Sequence, residues 1–243
     1  MKILVTAGST RTMIDQVRCL TNIFGGRTGA TLAYKLQNYG RREIGWSDVK
    51  TKHEVVLITS NKQTVEAIEL EYQNRCLDMH DGYRRPRMIY YKTFDELAEI
   101  MKEEITTGSY DVVIHSAAVS DFQVARVCTL VNGAMVEIDA SAKISSKTEN
   151  LYFEMKPTFK IVDKIRKEWG FKGKLVKFKL QVDMSDEDLI EIAKKSRATS
   201  EADIIVANCL EWSRERAFVI GPNDQVKSVV RDELPIVLAG MLK

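Results

Sequence analysis

The sequence predicts an α/β fold, a mostly parallel sheet with helices on both faces and one antiparallel arm set into it. Three observations carry this prediction. Short β-branched runs alternate with helical patterns from residue 2 to residue 118, and again from 174 to 208. The segments 111–118 and 203–207 are almost wholly apolar, as strands covered on both faces are. Between 122 and 155 the pattern changes to short β-like runs (ARVCTLV, AMVEI, LYFEM) with no helix between them, the mark of antiparallel pairing.

In order, KILVTAG (2–8) reads as a buried strand. A polar loop and then a helix follow, the helix running from about Gly29 to Tyr39 with Leu32 and Leu36 on one face. The polar stretch 41–52 reads as a surface insertion. Residues 53–59 form the second strand and TVEAIELEYQ the next helix, before an irregular basic loop over 75–87. MIYYKT (88–93) is the third strand, and FDELAEIMKEEI sets Phe94, Leu97, Ile100 and Met101 on one side of a helix. Residues 111–118 are the fourth strand.

Beyond the arm, Pro157 reads as a first-turn residue for the helical FKIVDKIRKEW. Residues 174–182 are a strand, and Ser185 with Asp188 spells a capping box for DLIEIAKKS. ADIIVAN is a further strand. AFVI and QVKSVV read as a hairpin closed at GPND, and Asp232 as the cap of a terminal helix. Residues 1–243 read as a single domain, with 122–155 as its arm and flap. The apolar stripe of LYFEM implies a partner surface.

The chain carries 36 basic and 34 acidic residues for a net charge of +2, a balance that argues against a dedicated nucleic-acid or membrane-surface protein. Four cysteines (Cys19, Cys76, Cys128, Cys209) form no CxxC, and none of the three histidines has ligand spacing to another or to a cysteine. That argues against zinc and for reduced thiols. No apolar run approaches the roughly 20 residues of a spanning helix. MKILVTAG is too short and too β-branched for a signal peptide. The expectation is a soluble, cytoplasmic protein.

Chemistry is concentrated at the ends of strands. A strand that ends at Gly8 and reaches a helix through Gly25, Gly26 and Gly29 suits either a plain turn with helix entry or a cradle for nucleotide phosphates. Neither GxGxxG nor GKS/GKT is present, and the second strand ends Thr59-Ser60-Asn61 without the acidic residue that holds a dinucleotide ribose. Three clusters favour the cradle. Arg18 offers a planar fork for phosphate or carboxylate, and Asn22, four residues on, offers an uncharged donor. Ala117-Ala118-Val119-Ser120-Asp121 supplies small side chains and one acceptor at the end of the fourth strand, and Ala207-Asn208 ends another. His115 reads as a hydrogen-bonded core histidine, and the basic run 84–87 as a solvated loop.

These residues resemble phosphopantothenoylcysteine synthetase, the phosphopantothenate–cysteine ligase family of coenzyme A biosynthesis. The family's TAGGT and VRxxTNxSSGxxG segments match Thr6-Ala7-Gly8-Ser9-Thr10 and Val17-Arg18…Thr21-Asn22…Gly26…Gly29. Its AAVxDF matches Ala117 to Phe122, KIxS matches Lys143 to Ser146, FKLETD matches Phe178 to Asp183, and VAN ends at Asn208. The resemblance covers nearly the whole chain in order and spacing, and resembles the stand-alone form of the enzyme.

It implies a Rossmann-like doubly wound sheet, a β arm that makes a homodimer, and ligation of 4′-phosphopantothenate to L-cysteine with CTP (or ATP) and Mg²⁺. By position it makes Asn22 and Lys143 catalytic, Lys143 opening a mobile flap. It assigns Arg18, Ala117, Ala118 and Asp121 to the substrate, with Arg18 reaching across the dimer. It assigns Gly8, Gly26, Gly29, Phe178 and Asn208 to the nucleotide. Three elements depart from the family: Phe24-Gly25 replaces two serines, Ser9 replaces a glycine, and Ser145 replaces a lysine. The alternatives are an NAD(P)-dependent reductase, which should show a Tyr-x-x-x-Lys pair on a helix near mid-chain where the sequence reads none, and a non-catalytic nucleotide-binding module.

Overall fold

The computed structural model describes residues 1–39, 53–75 and 84–242. The stretch 41–52, read as a surface insertion, and residues 76–83 of the basic loop lie outside the described residues.

Strand β1 (Lys2–Ala7) pairs in parallel with β4 (Glu54–Thr59) on one side and β6 (Val112–His115) on the other. β5 (Arg87–Tyr90) extends the sheet past β4, and β10 (Lys174–Gln181) and β11 (Ile204–Cys209) extend it past β6, all in parallel. The hairpin β12 (Arg216–Ile220) and β13 (Val226–Val230) closes that end antiparallel. The order is β13-β12-β11-β10-β6-β1-β4-β5, the doubly wound arrangement expected.

Strand alternation sorts the core into two layers. Ile3, Val5, Leu57 and Val206 pack with α1 (Arg27–Gln37), α2 (Lys62–Arg75) and α6 (Leu234–Met241). Leu4, Val56, Val113 and Leu175 face the opposite way, onto α3 (Phe94–Thr107) and α4 (Ile161–Lys167). On that same side α5 (Asp186–Thr199) sets Leu189 and Ala193 against Ile205 and Ala207. Ser185 caps α5 as expected, its Oγ accepting from the Asp188 N–H at 3.1 Å.

Two expected helix starts are corrected. Pro157 does not open a helix but ends a strand opposite Phe122, at the last rung of its ladder, where a missing N–H leaves no gap. α4 begins only at Ile161. Asp232 is not a cap: it lies in a 3₁₀ turn over Arg231–Glu233, and α6 starts at Leu234 with a proline in its first turn.

The insert is a separate three-stranded antiparallel sheet in the order β8-β7-β9. It comprises β7 (Phe122–Val131), β8 (Ala134–Glu137) and β9 (Tyr152–Pro157). Asn132 and Gly133, both at positive φ, make the tight turn between β7 and β8.

The stretch between β1 and α1, expected as a polar loop, contains a second antiparallel pair. β2 (Arg11–Met13) and β3 (Cys19–Thr21) are three residues each and mostly exposed, so no apolar alternation announced them. A turn carboxylate holds them instead: Val17 N–H and Arg18 N–H both donate to Asp15 Oδ1, at 2.9 and 2.8 Å.

α1 reaches its position through glycine. Gly26 has φ +80°, and a Cβ there would stand 2.1 Å from the Gly8 nitrogen. Gly26→Ala should destabilise the protein by about 1–3 kcal/mol through backbone strain and overpacking. A urea midpoint equal to wild type would show that the junction has slack.

Candidate active site at the carboxyl ends of β1 and β6

From β1 the chain winds outward to β4 and β5, then returns to β6 on the opposite flank. The carboxyl ends of β1 and β6 therefore border the crevice where ligands of open α/β sheets bind. Gly8 turns the chain there at φ +84°, so close to Ser60 that a Cβ would lie 2.3 Å from its Oγ. Gly26 rests on Gly8, and a Cβ on Gly29 would stand 2.7 Å from the Thr6 carbonyl oxygen. The three glycines thus act first as points of close contact within the chain, and what they deliver to the rim is the first turn of α1. No side chain among the described residues caps that turn. Its N–H groups remain available to an anion.

Asn22 follows β3 directly, and its Nδ2 donates to the Ala118 carbonyl at 3.1 Å. Ala118 N–H in turn donates to the Gly8 carbonyl at 2.8 Å, so Gly8, Asn22, Ala117 and Ala118 share one rim. Ser9 stands where the family has glycine, yet Gly8 takes the left-handed turn. The Ser9 hydroxyl donates to the carbonyls of Asn22 (3.2 Å) and Phe24 (3.0 Å), fixing the loop. Beside these residues lies a cleft of about 440 Å³ reaching Ser9, Asn22, Gly25, Ser60 and Lys62. Two of its lining residues, Arg11 and Lys62, are cationic and none is acidic. Neither cation stood out in the sequence, because each is isolated there. Lys62 also leans toward Glu66, 3.7 Å away along α2.

Arg18 turns inward. Its Nε donates to Asp15 Oδ2 at 2.9 Å, and its Nη2 to the same carboxylate at 2.5 Å and to the Ile144 carbonyl at 2.9 Å. The Ile144 N–H closes the ring on Asp15 Oδ2 at 3.1 Å. The Arg18 guanidinium holds the Asp15 carboxyl well below the usual carboxylate range, against the opposing effect of burial. This ring fastens buried Ile144, while Lys143 beside it stays exposed. Gln16 adds a bond to the Ser141 carbonyl at 2.7 Å.

Asp121 sits at the root of the arm, ion-paired with Lys160. Phe178, in β10, packs on the α1 and α6 layer. Asn208, near the end of β11, lies on the same face as Val206, two residues before it. Asn208 is 6% exposed. His115 is 8% exposed, with Nδ1 3.0 Å from Thr6 Oγ1; burial, reinforced by the nearby Lys177 charge, pushes its pKa down to about 4. Lys177 pairs with His115 across the strands and bonds Ser196 on α5 and Ser200 just past its end; burial lowers its pKa to about 8. In the basic run, Arg85 and Arg87 are paired with Glu69 and Glu104.

Asp15→Asn should loosen the segment around Ile144, lowering the urea midpoint at neutral pH and speeding proteolysis between 141 and 147. The depressed Asp15 pKa contributes stability that is present above the ordinary carboxylate range and lost as pH falls below it. The gap between variant and wild type should therefore narrow in acid. A gap that stays constant with pH would remove Asp15 as the clasp.

Comparison with known proteins agrees with this architecture. The family described as DNA/pantothenate metabolism flavoprotein, C-terminal domain, matches residues 1–79 and 83–235. The coenzyme A biosynthesis bifunctional protein CoaBC of Thermococcus kodakarensis is 31% identical over 95% of this chain, and the chain spans 47% of that relative. The crystal structure of a DNA/pantothenate metabolism flavoprotein from Streptococcus pneumoniae superposes with a TM-score of 0.76 at 28% identity, covering 99% of this chain and 97% of the other. A Cab2 mutant in complex with phosphopantothenate-cysteine shares the fold, with a TM-score of 0.67 at 14% identity over 98% of this chain and 85% of that one. By the extent of these matches, the chain belongs to the DNA/pantothenate metabolism flavoprotein C-terminal domain family.

Proposed function

We propose that this domain joins 4′-phosphopantothenate to L-cysteine at the expense of a nucleoside triphosphate, CTP first and ATP as the alternative. The observation that carries the reading is the position of Asn22, its amide hung on Ala118 beside the uncapped turn of α1 and a carboxylate-free cationic cleft. The substrate carboxylate attacks the α-phosphorus and pyrophosphate leaves. The cysteine amine then attacks the acyl carbon of the mixed anhydride, and the nucleoside monophosphate leaves. Both partners of the first step are anions, so positioning and charge neutralisation supply most of the acceleration. Asn22 donates to the oxygen that gains charge. Ala117 and Ala118 let substrate lie against backbone, and Asp121 accepts from its polar groups. Arg18 keeps Nη1 for a substrate phosphate, and Lys143 closes over the reacting phosphates from the flap. Phe178 packs on the base and Asn208 bonds the nucleotide.

Among the described residues no three acidic, histidine or cysteine side chains gather to hold a metal. Magnesium would therefore arrive with the triphosphate rather than on a protein site, and would supply charge neutralisation as the carboxylate approaches. Among the described residues no helix is long and apolar enough to cross a membrane.

The arm supports a homodimer. Leu130, Met135, Val136, Phe153 and Met155 are exposed on a sheet whose outer strands β8 and β9 are both open edges. Replacing Val136 and Met155 together with aspartate should turn a dimer into a monomer in light scattering. A wild-type protein that is already monomeric would refute the pairing.

The direct test is pyrophosphate release from purified protein with CTP or ATP, Mg²⁺ and cysteine, with and without phosphopantothenate. Release that depends on phosphopantothenate excludes both a reductase and a non-catalytic nucleotide-binding module. Asn22→Ala should cut turnover by roughly a hundredfold or more while leaving the unfolding midpoint unchanged. Undiminished turnover removes Asn22 from the chemistry.

A further inference from the structure

Arg231 was not singled out by its sequence context, where it merely follows a hairpin. In the fold it leaves the end of β13, and β13 runs parallel to β11, two antiparallel steps away. Arg231 therefore starts from the same rim as the ends of β1 and β11. Its Nη2 donates to Thr28 Oγ1 in the first turn of α1. Its Nη1 is buried and has no hydrogen-bond partner among the described residues. Arg87, Arg126 and Arg216 each face a carboxylate. Arg231 makes none of the ion pairs among the described residues, and burial lowers its pKa with no acid opposing the shift. A guanidinium partly withdrawn from water, with one nitrogen buried and no counter-charge beside it, is costly and calls for an anion to complete it. Two further polar groups lie toward the same rim. The first turn of α1 has no side-chain cap. Asn208, 6% exposed and on the α1 face of β11, makes no side-chain hydrogen bond among the described residues.

We propose that Arg231 binds the phosphate chain of the nucleotide, with its free Nη1 and the first-turn N–H groups of α1 enclosing the same oxygens. The chemical class is a polyphosphate anion, which the guanidinium fork suits better than an ammonium does. The inference rests on the ligase reading for the identity of the ligand, but not for the existence of an anion site.

The experiment is calorimetric titration of inorganic tripolyphosphate, CTP, ATP and phosphopantothenate into wild type, Arg231→Gln and Arg231→Lys, with pyrophosphate release measured in parallel. Arg231→Gln should weaken tripolyphosphate and nucleotide about tenfold to a hundredfold. It should leave phosphopantothenate affinity unchanged and the ligand-free unfolding midpoint equal or higher, because an unpaired buried charge has gone. Arg231→Lys should fall between the two, and it supplies the reading if the Gln variant does not fold. Unchanged tripolyphosphate and nucleotide affinity in the folded variants overturns the proposal, as does a loss confined to phosphopantothenate. Wild type that binds tripolyphosphate through Arg231 yet releases no pyrophosphate retires the ligase reading and keeps the anion site. Normal turnover with an unaltered nucleotide KM in Arg231→Gln does the reverse.

Discussion

The contact of Gly26 with Gly8 is the constraint on which the site depends. A Cβ on Gly26 would stand 2.1 Å from the Gly8 nitrogen, so two backbones meet where most residue pairs would be held apart by side chains. Because both glycines also hold positive φ, the strand ends and the helix begins almost at one point. The helix N-terminus is thereby brought to the end of β1, next to the crevice that the return of the chain to β6 opens. Without that approach the uncapped N–H groups would face solvent some distance from Asn22 and Ala118, and no single ligand would reach both.

Around this junction the chain divides its charges between two tasks. Asp15 and the Nε–Nη2 side of the Arg18 fork neutralise each other and serve architecture, linking the β2–β3 hairpin to Ile144. Arg11 and Arg231 make no ion pair among the described residues, Lys62 keeps only a 3.7 Å approach to Glu66, and with the helix terminus these cations make a field suited to anions. A carboxylate that must approach a triphosphate meets strong repulsion in water. A site that holds cations in place in advance offsets that repulsion without reorganising at the moment of reaction.

Much of the scaffold was legible in the sequence, because its signals are local. The apolar runs of β6 and β11 read directly as doubly covered strands, β1 read as a buried one, and the Ser185 cap read from a four-residue spacing. The motifs at Gly8, Asn22 and Ala117-Ala118 were visible because each lies within a few residues of a strand end. Other features depend on partners distant in the chain. Arg18 reaches the Ile144 carbonyl across 126 positions, and Asp121 reaches Lys160 across 39. The hairpin β2–β3 was missed because a carboxylate in its turn, not an apolar face, holds it. Arg231 was missed because the helix it meets lies 203 positions earlier. Pro157 misled because a proline suits the end of an edge strand as well as the start of a helix.

The long delay between β1 and α1 now has a physical reason. A shorter connection would still allow Gly26 to meet Gly8, but it would carry no Asn22. The hairpin supplies two anchors from one insertion. Its return strand ends at Thr21, which sets Asn22 on the Ala118 carbonyl, and its turn carries Asp15, which clasps the segment beside Lys143. Its outgoing strand is tied to the arm as well, through Thr12 Oγ1 on the Phe122 carbonyl at 3.2 Å. A displacement of the arm is therefore felt at the hairpin, and through the hairpin at Asn22. That linkage makes the arm part of the site's geometry, since the element that bears the exposed apolar strands is bonded to the element that positions the amide.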